Sequence, residues 1–246
     1  MDNMKITKVG SRGTLFTFDD LGIPTNVYVI NGTHHIFIID TYLGPTVMNQ
    51  INQYIEEKLP KKPWIIINSH SHWDHVWGNS LYSSSLIIAH EKCKELMQKE
   101  GLRDLERFKE YQKGEVVLTY PNLTFTDKIA FEEDQILIYH TPGHTEDEIS
   151  VLDLKDKVLF VGDNLERPIP FIMARDLKQY IDTLEDYLKV DAEIIIGGHT
   201  DMENKGLIED NLRYLEKVIT EDYLGYEVGE YKEYHQTNMK WLEENK

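Results

Sequence analysis

Residues 68–79, NSHSHWDHVWGN, gather titratable side chains in the middle of the chain. Three histidines and one aspartate fall within six consecutive positions, in a sequence that has 10 histidines in all. Side chains two positions apart in an extended segment face the same way, so we expect His70 and His72 to reach one point in space. Asp74 and His75 follow where the chain must turn, and they should face a second point a few ångströms away.

Each of these two groups needs further members, and three apolar runs elsewhere end in suitable residues. His144 lies in YHTPGHTEDEIS, Asp163 in LFVGDNL and His199 in IIIGGHTD. Each run leads to a glycine and then to the polar residue, at a strand end where a pocket can form outside a sheet. Imidazole nitrogens and carboxylate oxygens are ligands that suit zinc, and also iron or manganese. The sequence therefore predicts a pair of metal ions about 3.5–4 Å apart.

The segment HSHWDH resembles the HxHxDH signature of the metallo-β-lactamase superfamily, and TPGHT, GD and GGH follow in that family's order. The resemblance covers residues 25–200. It implies that three histidines bind the first metal, that one aspartate and two histidines bind the second, and that a further aspartate bridges both. These residues are His70, His72 and His144; Asp74, His75 and His199; and Asp163. We expect two divalent ions, zinc before iron or manganese.

The identity of the predicted bridging residue indicates which branch of the superfamily the sequence resembles. Asp163 stands where the antibiotic-destroying members of the family carry a cysteine or a serine. The sequence is instead similar to hydroxyacylglutathione hydrolases, lactonases and related hydrolases, although its acid-rich C-terminal segment disfavours glutathione itself. The resemblance implies hydrolysis of a small ester, thioester or lactone. Two cations that share a solvent molecule lower its pKa from about 15.7 toward about 7, which provides a bridging hydroxide.

Other functions are compatible with the same ligands. One is iron chemistry, in a persulfide dioxygenase with a single iron or in a di-iron redox enzyme. A second is hydrolysis of a small phosphodiester, and a third is a non-catalytic protein that keeps metals for folding or for holding a ligand. In a hydrolase Asp74 could also relay a proton, although its expected role is that of a ligand.

Several residues near the predicted ligands have two interpretations. Asp40, which ends the run IFIID, resembles the family's aspartate behind the site, which fixes the tautomer of a ligating histidine; the alternative is a strand cap. Trp73, Trp77 and the segment 169–173 are expected either to wall the pocket or to pack in the core. His140 should lie at a strand end or behind the site. The other histidines are expected at the surface or in turns: His34, His35, His90 and His235.

Short β-rich runs and amphipathic helices alternate along the chain. The predicted strands are 14–20, 25–31, 34–40, 64–69, 85–90, six runs between 115 and 163, and 192–199. The predicted helices are one that starts near Pro45, the stretch 91–113 as a solvated helix or lid, 175–189, and 203 onward. Two β-rich blocks with helices around them indicate an α/β fold, the four-layer αββα sandwich, with two mixed sheets and helices on the outer faces. We expect one domain over residues 1–246, with 203–246 as a C-terminal helical segment.

Composition restricts the partners. With 26 basic and 43 acidic residues, the chain has a net charge of −17, which repels nucleic acid and anionic membranes at long range. Cys93 is the only cysteine, so no intrachain disulfide forms. No apolar run approaches the roughly 18 residues of a membrane span, and no signal-peptide pattern is visible. We expect a cytoplasmic protein that acts on a small-molecule substrate without nucleic acid or membrane, and that is compatible with a homo-oligomer.

Overall fold

The computed structural model describes residues 4–245, in which two β-sheets stack face to face. The first sheet follows chain order, β1 to β7, and its pairs are antiparallel up to β4 and parallel from β4 to β7. Its strands are Lys5–Val9, Gly13–Phe18, Thr25–Asn31, Ile36–Ile39, Trp64–Ile67, Leu86–His90 and Leu123–Phe125.

The second sheet runs in the order β13-β12-β11-β10-β9-β8. All its pairs are antiparallel except β11 with β12, which are parallel. Its strands, β8 to β13, are Lys128–Phe131, Ile136–His140, Ile149–Asp153, Val158–Phe160, Ile194–Ile196 and Met202–Glu203. Both sheets are therefore mixed.

Six α-helices lie in the described part of the chain, and their local sequences explain where they begin. Pro45 opens the first, where a missing backbone N–H costs nothing. His90 and Asp176 cap two others by accepting hydrogen bonds from the backbone N–H groups of Lys92 and Gln179. The helices, α1 to α6, are Pro45–Lys58, Trp73–Val76, Glu91–Arg107, Leu177–Lys189, Lys205–Ile219 and Lys232–Glu244.

Three apolar cores separate four layers. Successive residues of a strand face opposite sides, so Tyr28 and Ile30 of β3 point into the core between the sheets, while Val27 and Val29 point outward. The outward residues of the first sheet pack against α1 and α3, and those of the second sheet pack against α4 and α5. This is the predicted αββα sandwich, with helices on both outer faces.

A buried ion pair joins the two sheets at one end. The guanidinium of Arg12, just before β2, donates to both carboxylate oxygens of Asp153 in β10, at 2.9 Å and 2.6 Å. The two side chains are 6% and 0% exposed. Because both side chains are out of water, the guanidinium compensates the charge of the Asp153 carboxylate, which also accepts from the backbone N–H groups of Lys155 and Asp156.

The structure corrects some predicted boundaries. Residues 115–120 form no strand, because β7 occupies the edge beside β6 and the Thr119 carbonyl bonds to the side chain of Asn79 instead. The strand Lys5–Val9 was missed because its polar, half-exposed pattern is that of a sheet edge. The helix predicted over 91–113 ends at Arg107, and a short 3-10 turn follows.

None of the helices between residues 4 and 245 combines the length and the apolar character that a bilayer crossing requires.

Replacement of Arg12 by Met should destabilise the fold by about 3 kcal/mol, because the Asp153 carboxylate stays buried without its partner. Urea denaturation followed by circular dichroism measures this. Lys178→Met, which removes an exposed ion pair with Asp182, is the matched control and should leave the stability close to that of the wild type. An Arg12→Met variant as stable as the control would show that the inter-sheet pair contributes nothing.

Candidate metal centre

The seven predicted ligands come from four loops at one end of the sandwich. Residues 70–75 follow β5, His144 lies between β9 and β10, and Asp163 and His199 follow β11 and β12. Backbone hydrogen bonds tie these loops together: Ile149 N to Ser69 O at 2.9 Å, Gly198 N to Gly162 O at 2.6 Å, Asn26 N to Gly198 O at 2.8 Å, and Thr41 N to His75 O at 2.7 Å. Main-chain hydrogen bonds therefore hold the backbone around the site, and they connect it to both sheets.

The first predicted group converges on one point. His70 Nε2 lies 2.9 Å from His72 Nδ1, and His144 Nε2 lies 3.4 Å from the same His72 nitrogen. The three histidines are joined there by Asp163, whose Oδ2 is 3.6 Å from His70 Nε2 and 3.9 Å from His144 Nε2. The predicted convergence of His70 and His72 is present, but the segment 69–72 is bent rather than an extended strand.

The second predicted group also converges. His75 Nε2 and His199 Nε2 lie 3.3 Å apart, and Asp74 Oδ2 is 3.6 Å and 3.2 Å from them, respectively. Asp74 and His75 face this second point because they belong to the short helix α2, which turns the chain directly after His72.

Asp163 stands between the two groups. Its Oδ2 is 3.4 Å from both His75 Nε2 and His199 Nε2, in addition to its contacts with the first group. Among the described residues its Oδ1 is buried and accepts no hydrogen bond. A buried carboxylate oxygen without a partner is costly, and a bound cation would satisfy it. A Cβ at position 198 would collide with this oxygen, which explains the glycine there.

In two of the rings, a hydrogen bond on the opposite side sets which nitrogen faces the centre. Nδ1 of His144 donates to the Phe171 carbonyl at 3.0 Å, and Nδ1 of His199 donates to the Pro24 carbonyl at 2.9 Å. A carbonyl oxygen can only accept, so these bonds fix the tautomer and leave Nε2 free to bind a metal. His72 is different, since it presents Nδ1 to the centre.

Asp40 orients one histidine in each group. Its Oδ2 accepts from Nδ1 of His75 at 2.8 Å and from the hydroxyl of Ser69 at 2.8 Å. The Ser69 oxygen lies 3.0 Å from Nδ1 of His70 and can accept from it. The role behind the site that the resemblance implied for Asp40 is thus the one its contacts support. Ser69 was not predicted, and nothing in its sequence context distinguishes it.

The C-terminal helix supports the first group through a chain of contacts. Asn238 of α6 accepts from the Ile172 N–H at 2.9 Å and donates to the Pro170 carbonyl at 2.8 Å. These bonds hold the segment that presents the Phe171 carbonyl to His144. A link over 90 residues of sequence separation has no local sequence signal.

Two buried acids near the centre were also missed. Glu148 accepts from the Asp163 backbone N–H at 3.0 Å and lies 3.5 Å from Nδ1 of His70. Glu166 is 5% exposed and lines a cavity of about 160 Å³ beside His199. Burial, reinforced by the negative charge of Asp163, raises the pKa of both carboxyl groups well above the usual range. Both lie on loops that carry predicted ligands.

The titration of the ligands differs between the groups. Burial lowers the pKa of His70 and His144, and it lowers the pKa of His72 to about 4. The pKa values of His75 and His199 are raised despite burial, because Asp163 lies beside them. Burial also opposes ionisation of the two ligand aspartates, but the surrounding imidazoles hold the pKa of Asp163 well below its usual value and that of Asp74 at about 2.

The other residues that were predicted near the site either line a cavity or pack in the hydrophobic core. Trp77 is buried in the core, whereas Trp73 lines a cavity of about 440 Å³ that His72 also lines. In the segment 169–173, Ile169 and Ile172 are core residues, and Met173 lines the same cavity.

The predicted surface placement of His90 and His235 is wrong. His90 caps α3 and stacks on His140 at the end of β9, with ring centroids 3.8 Å apart. His235 is buried against the Tyr214 hydroxyl.

Comparison with known proteins assigns the class. The model of the metallo-beta-lactamase superfamily matches residues 21–199. The human acyl-coenzyme A thioesterase MBLAC2 is 24% identical over 214 residues, which cover 74% of this chain and 75% of that protein. A type 2 metallo-beta-lactamase of Bacillus sp. (strain 170) is 24% identical over 211 residues, 80% of this chain and 75% of the relative.

Solved structures share the fold. The DIM-1 metallo-beta-lactamase superposes with a TM-score of 0.72 at 18% identity, over 87% of this chain and 98% of its own. The FIM-1 enzyme of Pseudomonas aeruginosa, in a mono-zinc form, has a TM-score of 0.71 at 18% identity, over 87% and 96% of the two chains. The chain belongs to the metallo-β-lactamase superfamily. It is a metal-dependent hydrolase of that superfamily, with two groups of histidine and aspartate residues able to hold metal.

Replacement of Asp40 by Ala should lower metal affinity by about 10- to 100-fold. His75 loses its hydrogen-bond acceptor, and Ser69, which orients His70, loses the carboxylate that holds its hydroxyl group. Competition with a chromogenic chelator measures the affinity of each metal equivalent. Ser69→Ala is the matched comparison and should weaken only the equivalent held by the first group. Unchanged affinity in Asp40→Ala would contradict the orienting role.

Metal binding by the two groups should differ in its pH dependence. The imidazoles of the first group have pKa values below the usual 6.5, so they are neutral and ready to bind from pH 6.5 upward. His75 and His199 have pKa values above 6.5 and remain protonated into that range, so a metal must displace their protons. Affinity of the second group should therefore increase with pH above 6.5, while that of the first group changes little. Equilibrium dialysis of zinc at several pH values tests this, and equal pH dependence of both equivalents would refute it.

Proposed function

We propose that the protein hydrolyses a small ester, thioester or lactone, with two divalent metal ions, zinc by preference, held by the seven ligands. The observation that carries this proposal is the position of Asp163 Oδ2, 3.4–3.9 Å from four imidazole nitrogens that belong to both groups. A carboxylate between two cations offsets their mutual repulsion and keeps them close enough to share a ligand.

The chain offers no cysteine nucleophile at the site. Its only cysteine, Cys93, is fully buried on α3, and burial raises the pKa of its thiol well above the usual value. When bound, a metal pair would supply an acidified water and a Lewis acid for the carbonyl oxygen of the substrate. The side chains of this protein then need only to position the ligands, admit the substrate and restrict bulk water.

In this proposal the substrate reaches the centre at His72. The cavity of about 440 Å³ that this residue lines is walled on one side by Trp73, whose ring stacks on Phe108 at 4.5 Å. Ligand pockets of this kind combine apolar walls with a few polar groups at the reacting end. A small substrate could therefore present a carbonyl to the ligands while its apolar part packs on the aromatic rings.

Asp74 acts as a ligand in this proposal. With a pKa of about 2 its carboxylate is a weak base, which suits metal binding better than proton transfer. The similarity to a relative named as an acyl-coenzyme A thioesterase supports thioesters among the candidate substrates.

The test combines metal analysis with a substrate screen on protein purified without added metal. We expect two zinc ions per chain and turnover of an ester, thioester or lactone panel. His72→Ala should lower kcat/KM by more than about 100-fold, since it removes a ligand at the mouth of the cavity. His34→Ala, an exposed histidine remote from the ligands, is the control and should behave as the wild type.

Other outcomes would redirect the proposal. One iron per chain would favour a persulfide dioxygenase, and two irons would favour a di-iron redox enzyme. Turnover of small phosphodiesters alone would favour the phosphodiesterase alternative. Equal turnover by the wild type and His72→Ala would reject metal-dependent hydrolysis at this centre.

A further inference from the structure

The arginines of this protein divide into two sets. Four of the six pair with a carboxylate within 4 Å: Arg12 with Asp153, Arg103 with Glu100, Arg167 with Glu203, and Arg213 with Asp210. Within residues 4–245, Arg107 and Arg175 have no acidic partner at ion-pair distance. In a chain with 43 acidic residues, two unpaired guanidinium groups are an unexpected feature.

Arg107 lies on the wall of the cavity that His72 also lines. Its guanidinium sits over the Phe108 ring at 4.9 Å, and that ring in turn stacks on Trp73, the residue that follows His72. The stack makes a continuous path from a metal ligand to a cation. A substrate that lies along the aromatic rings would bring its far end to Arg107.

Arg175 lines a second cavity, of about 600 Å³, which shares Thr145, Glu146 and Met173 with the first. The second cavity continues along the loop that carries His144 and reaches Gln179 and Trp241. The two cavities therefore flank the same three residues on one side of the metal centre.

The acids that line the second cavity are already engaged. Glu146 pairs with Lys92 at 2.7 Å, and Asp176 accepts from the Gln179 backbone N–H at 2.9 Å as the cap of α4. In the first cavity Arg103 pairs with Glu100 at 2.6 Å and also lies 3.7 Å from Asp104. Within residues 4–245, each cavity thus retains one guanidinium with no carboxylate at ion-pair distance. Guanidinium groups bind phosphate and carboxylate through paired hydrogen bonds, and such a pair is stronger than a neutral hydrogen bond.

We infer that the substrate is an anion whose phosphate or carboxylate groups, remote from the bond that breaks, are bound by Arg107 and Arg175 in the two cavities beside His72. This inference rests on the proposed function for the position of the scissile bond. It adds that the arginines contribute to substrate binding and leave the chemical step unchanged.

The kinetic test uses three thioesters with the same acyl group and different thiols. Coenzyme A carries phosphates, glutathione carries carboxylates, and N-acetylcysteamine is neutral. We expect the wild type to prefer one anionic thioester, and the one preferred identifies the anion. Arg107→Gln and Arg175→Gln should each raise KM for that thioester about tenfold with kcat unchanged, and neither should affect the neutral thioester.

Arg213→Gln removes the same charge from an exposed position on α5 and is the matched control, with KM values expected to equal those of the wild type. Added salt should weaken the preference of the wild type and should have less effect on the double variant. Equal catalytic efficiency of the wild type on all three thioesters would overturn the inference. The inference would also be overturned if the arginine variants lost as much catalytic efficiency on the neutral thioester as on the anionic ones.

A binding measurement keeps this inference separate from the proposed function. Calorimetric titration with desulfo-coenzyme A and with S-methylglutathione, which cannot offer a free thiol to a metal, reports anion binding without turnover. Binding of one of them that is lost in the Arg107→Gln/Arg175→Gln double variant and kept in Arg213→Gln would support the anion site even if no thioester is hydrolysed. Binding of neither molecule by the wild type would overturn it.

Discussion

The structure depends on one buried carboxylate. Asp163 is buried at the end of the sandwich where the four loops meet, and its Oδ2 lies within 4 Å of four imidazole nitrogens from three of these loops. A carboxylate out of water is stabilised only by cations or hydrogen-bond donors, and its Oδ1 has no donor among the described residues. The fold therefore concentrates negative charge and lone pairs at a point where a bound cation would satisfy them.

Such a concentration is possible because the frame around it is rigid. The ligand loops leave the ends of strands in both sheets, and main-chain hydrogen bonds join neighbouring loops directly. Behind three of the rings, hydrogen-bond acceptors fix the imidazole: Asp40 for His75, the Phe171 carbonyl for His144 and the Pro24 carbonyl for His199. The helix α6 takes part through Asn238, so the C-terminal segment is a structural component of the centre and lies against the second sheet.

Much of this could be predicted from the sequence, because the information is local. The HSHWDH segment, three strand-end motifs and the alternation of β-rich runs and helices led to the sandwich and to seven residues that the structure brings together. Non-local features could not be predicted in this way. Ser69, Glu148 and Asn238 act through contacts across 29, 15 and 66 residues of sequence, where no spacing rule applies. His90 and His235 were misplaced because burial of a histidine depends on tertiary neighbours.

The most direct test of the account is the position of the metals relative to Asp163. Anomalous X-ray diffraction from crystals loaded with zinc should show two peaks about 3.5–4 Å apart, both in contact with the Asp163 carboxylate. One peak would lie among His70, His72 and His144, and the other among Asp74, His75 and His199. Peaks away from Asp163, or no bound metal in this end of the sandwich, would contradict the account.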